Sequence, residues 1–251
     1  MILTVANHKG GVAKTTSAYF LAHAMANQPQ PRYQPLLLDM DPQANLTRMC
    51  APDKGQPHIG DVLGGAIPAT ATIAEAMQSI KLGEGIGHIV ASHITVENVA
   101  VGLAQRNLNR LNALQRPLTA VDHNTHPVII DTPPSASILT LNALVASTHT
   151  VICADPEEDA IFGALRISEI IEEIRDSLGV APALLGVLAT RTDLSLTRHK
   201  EGLQRLEDLH EQGKLPPLLG SVPKRAGQDA DRSLREAYAP IAAKILELVY
   251  V

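Results

Sequence analysis

A glycine-rich segment lies between the first apolar stretch of the chain and an alanine-rich stretch. It reads Lys9-Gly-Gly-Val-Ala-Lys-Thr-Thr16. Glycines let the backbone turn tightly and direct N–H groups at phosphate oxygens, and the N-terminus of a following helix adds a partial positive charge. A lysine in such a loop reaches the β- and γ-phosphates of a nucleotide, and the next hydroxyl ligates Mg²⁺. The segment therefore predicts a nucleoside triphosphate site in which Lys14 and Thr15 have these roles.

Two apolar stretches end in carboxylates. Leu36-Leu-Leu leads to Asp39 and Asp41, and Val128-Ile-Ile leads to Asp131. Ligands of open parallel sheets bind at the carboxyl ends of the strands. Residues two apart on a strand share a face, so Asp39 and Asp41 would both face the phosphates if the extended backbone persists. Asp131 would hold Mg²⁺ through water. An aspartate before a turn is often structural. The glycine-rich segment and these two carboxylate segments in this order, each at the end of an apolar strand, are more specific.

Short apolar runs alternate with longer helical patterns along the chain. Strands are predicted at Met1–Ala6, Pro35–Asp39, Pro127–Asp131, Thr148–Ala154, Leu184–Thr190 and Leu218–Val222. Helices are predicted at Thr15–Asn27, Ser137–Ala146, Phe162–Leu178, Arg198–Gln212 and Ser233–Tyr250. The strands are nearly continuous apolar runs, which indicates burial on both faces. We therefore predict an α/β fold in three layers, with a mostly parallel twisted sheet flanked by helices, as in P-loop NTPases.

The stretch from Ala51 to Thr125 is the least regular part of the sequence. It contains several glycines with short helical pieces between them, and Arg106–Leu118 is the one solid helix expected there. Neither an internal repeat nor a long linker is visible. We therefore predict a single domain over residues 1–251.

Composition sets the broad class of the protein. The chain has 251 residues, a formal net charge of −5 and 45% apolar residues, which is ordinary for a globular protein and excludes collagen-like or wholly disordered chains. Aromatic residues make up only 2%, so a base-stacking surface for single-stranded nucleic acid is not expected. The first residues form an apolar strand rather than a leader, and no apolar run is long enough for a membrane span. We expect a cytoplasmic protein.

The glycine-rich segment resembles the KGGxGKTT signature of the ParA/MinD family of deviant Walker ATPases, with one departure at Ala13. The resemblance implies that Lys9 is the signature lysine, which contacts the nucleotide of a partner subunit. It also implies that Asp39 is an outer-shell Mg²⁺ residue and that Asp41 positions or deprotonates the attacking water. ATP contacts are then expected from Lys9, Gly10, Gly11, Val12, Ala13, Lys14, Thr15 and Thr16, with Thr190 and Pro223 near the adenine. Residue 13 would cost on the order of 1 kcal/mol in strain if its φ is positive, and nothing if it is near-helical.

The same resemblance implies a reaction, cofactors and partners. The chain is expected to hydrolyse ATP with Mg²⁺ and to form an ATP-dependent homodimer that binds nonspecific DNA. A ParB-like or McdB-like adaptor would stimulate hydrolysis, and the cargo would be a plasmid, a chromosome region or a protein organelle such as a carboxysome. The protein would then be associated with the nucleoid. The DNA-binding candidates are Lys200, Lys224, Arg225, Arg232 and Arg235. Acidic residues lie among them, so a plain solvated surface is an equal alternative.

Three other functions stay open. A MinD-like membrane-cycling regulator is disfavoured, because Ser233–Tyr250 lacks a dense basic face with bulky aromatic residues. A nucleotide-gated scaffold with negligible turnover is kept open by Ala13. A biosynthetic P-loop enzyme, related to dethiobiotin synthetase or nitrogenase reductase, is the weakest alternative. The nitrogenase type needs cluster cysteines, and Cys50 and Cys153 are not placed for that.

Overall fold

One sheet of eight strands organises the computed structural model, which describes residues 1–29, 33–53, 55–106, 110–224 and 229–250. The strands are β1 (Ile2–Ala6), β2 (Leu36–Asp39), β3 (Met77–Leu82), β4 (Gly85–Val90), β5 (Val128–Asp131), β6 (His149–Ala154), β7 (Ala183–Thr192) and β8 (Leu218–Pro223). Their order across the sheet is β3-β4-β2-β5-β1-β6-β7-β8. β3 and β4 are antiparallel, and the other neighbouring strands are parallel.

Helices cover both faces of this sheet. They are α1 (Lys14–Ala26), α2 (Asn45–Cys50), α3 (Ile59–Leu63), α4 (Ile73–Ala76), α5 (Val96–Ala104), α6 (Gln115–Leu118), α7 (Ile138–Ala146), α8 (Glu158–Leu178), α9 (Thr197–Glu211) and α10 (Ala230–Tyr250). Leu37 of β2 packs in a core with α1, α8, α9 and α10, whereas Leu36 and Leu38 pack in a second core with α3, α5 and α7. Successive strand residues thus enter opposite cores, which explains why the strands are apolar throughout. The predicted three-layer fold is confirmed.

The helix predicted at Arg106–Leu118 is wrong. Within the described residues, α5 ends at Ala104 and α6 is a single turn, while residues 107–109 lie outside them. The side chain of Asn142 on α7 accepts a hydrogen bond from the Ala113 N–H at 2.9 Å and donates one to the Arg110 carbonyl at 2.8 Å. A side chain from another element therefore takes backbone groups that a helix would have paired internally.

The antiparallel β3–β4 hairpin was not predicted, because its glycines indicated irregular structure. Gly83 in the connecting turn has a φ of 67°, a backbone conformation that favours glycine. A Cβ at Gly85 would lie 2.4 Å from the carbonyl oxygen of Ala26 at the end of α1. This glycine therefore lets the hairpin approach α1 closely, so that it extends the sheet beyond β2.

Candidate active site

The carboxyl ends of the central strands meet at one edge of the sheet, where a cavity of about 840 Å³ opens. Its lining includes many of the predicted site residues: Gly10, Gly11, Ala13, Lys14, Thr15, Thr16, Asp41, Thr190, Pro223 and Lys224. A cleft of this volume is in the range of small-molecule sites. The sequence-based site is thus gathered around one opening at the expected edge.

The glycine-rich loop, residues 9–13, connects β1 to α1. Gly11 has a φ of 77° and Ala13 a φ of 61°. Ala13 therefore adopts the strained alternative for this position, at a cost on the order of 1 kcal/mol. It also precedes α1 as an N-cap without a side-chain hydrogen bond. The first N–H groups of α1 consequently remain for an anionic ligand.

Lys14 folds back over the loop that precedes it. Its Nζ donates to the Lys9 carbonyl at 2.9 Å, and the residue is only 7% exposed. Burial lowers the pKa of the Lys14 amine, whereas the negative charge of Asp131 favours the ammonium form. Lys14 therefore provides a buried amine on the side of the cavity that the glycine-rich loop forms.

The two carboxylates after β2 have different surroundings. β2 ends at Asp39, so the extended backbone that would give Asp39 and Asp41 a common face does not persist. Asp39 Oδ2 accepts from the Thr47 N–H at 2.8 Å and from its hydroxyl at 2.7 Å. Burial raises the pKa of Asp39 to about 6 despite these hydrogen bonds. Asp41 borders the cavity, and its Oδ1 accepts from the Gln43 N–H at 2.9 Å.

Asp131 is a buried carboxyl group in which neither oxygen has a hydrogen-bond partner. It pairs in register with Asp39 across β2 and β5. Burial and the charge of Asp39 raise the pKa of Asp131 to about 8. The nearby Thr15 hydroxyl and the positive charge of Lys14 oppose this rise. Unpaired buried carboxylates are costly unless they bind a cation or its water ligands.

A divalent cation therefore fits this site. Among the described residues, however, no group of three or more His, Cys, Asp or Glu side chains could hold a metal ion. The remaining ligands would have to be hydroxyl, water and phosphate oxygens, as Mg²⁺ prefers.

The end of β7 contacts the loop from the other side of the cavity. The Thr190 hydroxyl donates to the Val12 carbonyl at 2.9 Å, so it is engaged by the loop. The next residue, Arg191, was not predicted; its guanidinium donates to the Gly11 carbonyl at 2.6 Å, and its φ is 53°. A left-handed conformation of this kind costs on the order of 1–3 kcal/mol outside glycine, and such strain concentrates at functional sites.

Lys9 lies outside the cavity lining, and its side chain is 32% exposed. Its Nζ is 3.6 Å from a carboxylate oxygen of Asp159 at the start of α8. Its backbone N–H donates to Asn7 Oδ1 at 2.7 Å, and Asn7 in turn donates to the Cys153 carbonyl. Asn7 was missed by the sequence analysis, and its only signal is a polar residue directly after an apolar strand.

Asp155 was also missed, although it follows the same pattern as Asp39 and Asp131. It comes directly after β6, and its Oδ1 is buried without a hydrogen-bond partner. Burial raises the pKa of Asp155, while the charges of Lys9 and Arg191 favour its ionised form. A fourth carboxylate thus belongs to this edge of the sheet.

The predicted DNA-binding residues differ in whether an acidic side chain pairs with them. Lys200 on α9 and Lys224 after β8 are exposed. On α10, Arg232 pairs with Glu236 and Arg235 pairs with Asp231. Arg225 lies outside the described residues. In the described part of the chain, no helix has both the length and the apolar run required to cross a bilayer.

Comparisons with known proteins find a matching family model, a relative in sequence and a similar solved structure. A family model described as an AAA domain matches residues 1–183. The chromosome partitioning protein ParA of Caulobacter vibrioides is 31% identical over 76% of this chain and 70% of its own length. The structure of cobyrinic acid a,c-diamide synthase from Mycobacterium smegmatis with bound ADP and magnesium is 29% identical, with a TM-score of 0.82 over 98% of this chain and 93% of that one.

A third relative is similar in fold alone. The structure of an ATP complex of McdA from Cyanothece has a TM-score of 0.81 at 18% identity, and the match covers 99% of this chain and 96% of that one. The shared fold extends over nearly the whole chain in both structures. One of these two solved structures contains ADP and magnesium, and the other contains ATP.

Proposed function

The chain is a member of the ParA family of P-loop ATPases, and from that membership we propose that it binds Mg²⁺-ATP at the edge cavity and hydrolyses it. The observation that supports this most directly is the buried, unpartnered carboxyl group of Asp131 near Lys14 and the open N-terminus of α1. A cationic side chain, free N–H groups and an unpaired carboxylate together match a phosphate chain with its divalent cation.

The phosphates are held by the loop between β1 and α1. The N–H groups of residues 10–16 surround them, and Lys14 moves from the Lys9 carbonyl to the phosphate oxygens. Bound Mg²⁺ would supply positive charge to offset the charge that develops on the phosphate oxygens. Thr15 would ligate it directly, with Asp39 and Asp131 acting through water. Pro223 and Thr190 would lie beside the base.

Hydrolysis transfers the γ-phosphoryl group of ATP to water. The water oxygen forms a bond to the γ-phosphorus while the bond to the bridging oxygen of ADP breaks, and a proton passes from the water to give ADP and phosphate. Asp41, which borders the cavity, positions this water and accepts its proton. Positioning and charge neutralisation supply the rate enhancement.

Lys9 serves a second subunit. Its side chain lies outside the cavity lining of its own chain, is half-buried, and pairs at 3.6 Å with the exposed carboxylate of Asp159, an interaction of small energy. It is therefore able to leave Asp159 and reach the nucleotide of a partner in an ATP-dependent dimer. Lys200 and Lys224, with Arg225, Arg232 and Arg235, would bind DNA phosphates without sequence preference.

Such a dimer would position a cargo in the cell. A ParB-like or McdB-like adaptor would stimulate hydrolysis and release the dimer from the nucleoid. The cargo would be a plasmid, a chromosome region or a protein organelle. A nucleotide-gated scaffold with negligible turnover is the alternative favoured by the strained Ala13, and it predicts dimerisation without phosphate release.

Retention on nonspecific duplex DNA tests this proposal. Binding is measured with Mg²⁺-ATP, with Mg²⁺-ADP and without nucleotide, over a range of salt concentrations. We expect salt-sensitive retention with ATP alone, lost in Lys9→Ala and kept in Lys81→Ala, which removes an exposed lysine of β3. Equal weak retention in all nucleotide states would contradict the DNA-binding dimer.

The similarity to cobyrinic acid a,c-diamide synthase favours a second candidate, an ATP-dependent biosynthetic enzyme that activates a carboxylate substrate. The two candidates differ in what they require. A ParA-type ATPase releases phosphate from ATP and water alone, faster with DNA and an adaptor. A biosynthetic enzyme releases phosphate only when its carboxylate substrate is present. Phosphate release with and without DNA therefore separates them.

A further inference from the structure

Arg191 has a backbone conformation that sets it apart within β7. Its φ is 53°, and the register between β7 and β8 is irregular between Ala189 and Thr192. Successive side chains of a regular strand point to opposite faces of the sheet. Here the successive residues Thr190 and Arg191 both donate to the glycine-rich loop, to the Val12 and Gly11 carbonyls. The left-handed backbone conformation of Arg191 thus turns its guanidinium, as a second donor, toward the glycine-rich loop.

These contacts determine where the loop N–H groups point. In a trans peptide the C=O and the N–H lie on opposite sides, so fixing one fixes the other. The Gly11 carbonyl shares its peptide with the Val12 N–H, and the Val12 carbonyl shares its peptide with the Ala13 N–H. Lys14 holds the Lys9 carbonyl in the same way. Thr190 and Arg191 therefore orient two peptides of the phosphate loop, and Lys14 orients a third until it moves to the phosphates.

We infer that Arg191 is a positioning residue of this loop: it holds the Gly11 carbonyl so that the Val12 N–H stays directed at the phosphates. The inference rests on the proposed binding of Mg²⁺-ATP. Arginine suits the role because its planar guanidinium donates in a fixed direction. Loop N–H groups cradle the α- and β-phosphates, which ADP and ATP share. Loss of Arg191 should therefore weaken both nucleotides alike.

Calorimetric titration with Mg²⁺-ADP and Mg²⁺-ATPγS tests the inference. Arg191→Gly is the informative variant, because glycine adopts a positive φ without strain while the guanidinium is removed. We expect about ten-fold weaker binding of both nucleotides, since hydrogen bonds to charged groups contribute in this range. Arg191→Lys should restore part of the affinity. The thermal midpoint of Arg191→Gly should equal or exceed that of the wild type, which separates positioning from folding.

Arg175→Ala is the matched control, because Arg175 is an exposed arginine near the end of α8 that pairs with Glu172. It should bind both nucleotides as the wild type does. Unchanged affinity of Arg191→Gly for both nucleotides would overturn the inference. A loss confined to ATPγS would overturn it too, because the guanidinium would then contact the γ-phosphate itself. Failure of the wild type to bind either nucleotide would instead overturn the proposed function.

Discussion

Ala13 is the one residue at which the glycine-rich loop departs from its family signature, and its φ of 61° carries a strain that glycine would relieve. Ala13→Gly should raise the free energy of unfolding by up to about 1 kcal/mol, because the strain removed exceeds the entropy that glycine adds to the unfolded chain. Urea denaturation measures the change. Ala18→Gly, in the helical interior of α1, should instead lower the free energy of unfolding by about 1 kcal/mol. Equal losses in the two variants would contradict a strained Ala13.

Individual candidate site residues were predictable where the neighbouring sequence indicates their role. Lys14, Asp41 and Asp131 follow apolar strands or glycines, and the structure brings them to one edge of the sheet. Asn7 and Arg191 were not predictable in this way. Their partners are backbone carbonyls and N–H groups of other elements, and a side-chain hydrogen bond to a distant backbone leaves no pattern in the sequence.

α8 packs against the start of the glycine-rich loop at Gly163. A Cβ there would lie 2.2 Å from Asn7 Oδ1 and 3.1 Å from the Lys9 nitrogen. Gly163→Ala should therefore break the Asn7–Lys9 hydrogen bond, lower the free energy of unfolding by about 1–3 kcal/mol and weaken nucleotide binding. The higher helix propensity of alanine offsets only part of this loss.

Chemical denaturation and nucleotide titration of Gly163→Ala check the expectation. The control is Phe162→Ala on the same helix, where the residue is 71% exposed and truncation should change stability little. A Gly163→Ala protein as stable as the wild type, with the same nucleotide affinity, would show that α8 does not constrain the loop.

The elements themselves were largely predictable, because their signals are periodic and local. The buried strands appear as continuous apolar runs, and α8, α9 and α10 were found from helical patterns. The β3–β4 hairpin and the broken stretch before α6 were not. Glycines that permit close packing cannot be distinguished in sequence from glycines of an irregular loop. The Asn142 contacts that replace helical hydrogen bonds come from another part of the chain.

The whole nucleotide-free molecule should lose stability as the pH rises. Burial raises the pKa of Asp39 to about 6 and that of Asp131 to about 8, above the ordinary value of 3.8. A carboxyl group whose pKa is higher in the folded than in the unfolded protein contributes stability that is complete below the unfolded pKa of 3.8. This contribution is lost as the pH rises from there through the pKa of the folded protein. The loss should be on the order of 1 kcal/mol or more between pH 5 and pH 9.

Urea unfolding at a series of pH values measures this loss. Asp131→Asn should flatten the profile, because the amide cannot ionise. Saturating Mg²⁺-ADP should restore stability to the wild type at high pH by binding the folded state, by about 2.7 kcal/mol at one hundred times its Kd. A wild-type profile that does not fall, or one that coincides with the profile of Asp131→Asn, would contradict this account.

The central position of β1 has a consequence for synthesis of the chain on the ribosome. Ile2 pairs with Val128 in β5, and Leu3 pairs with His149 in β6. The glycine-rich loop is therefore made first, yet its strand has no neighbours until most of the polypeptide has emerged, and Arg191 follows later still. A nascent chain that ends before β5 lacks both strands that flank β1, and one that ends before β7 still lacks the Arg191 contact. We therefore expect the glycine-rich loop to take up its ordered conformation only after β7 has been synthesised.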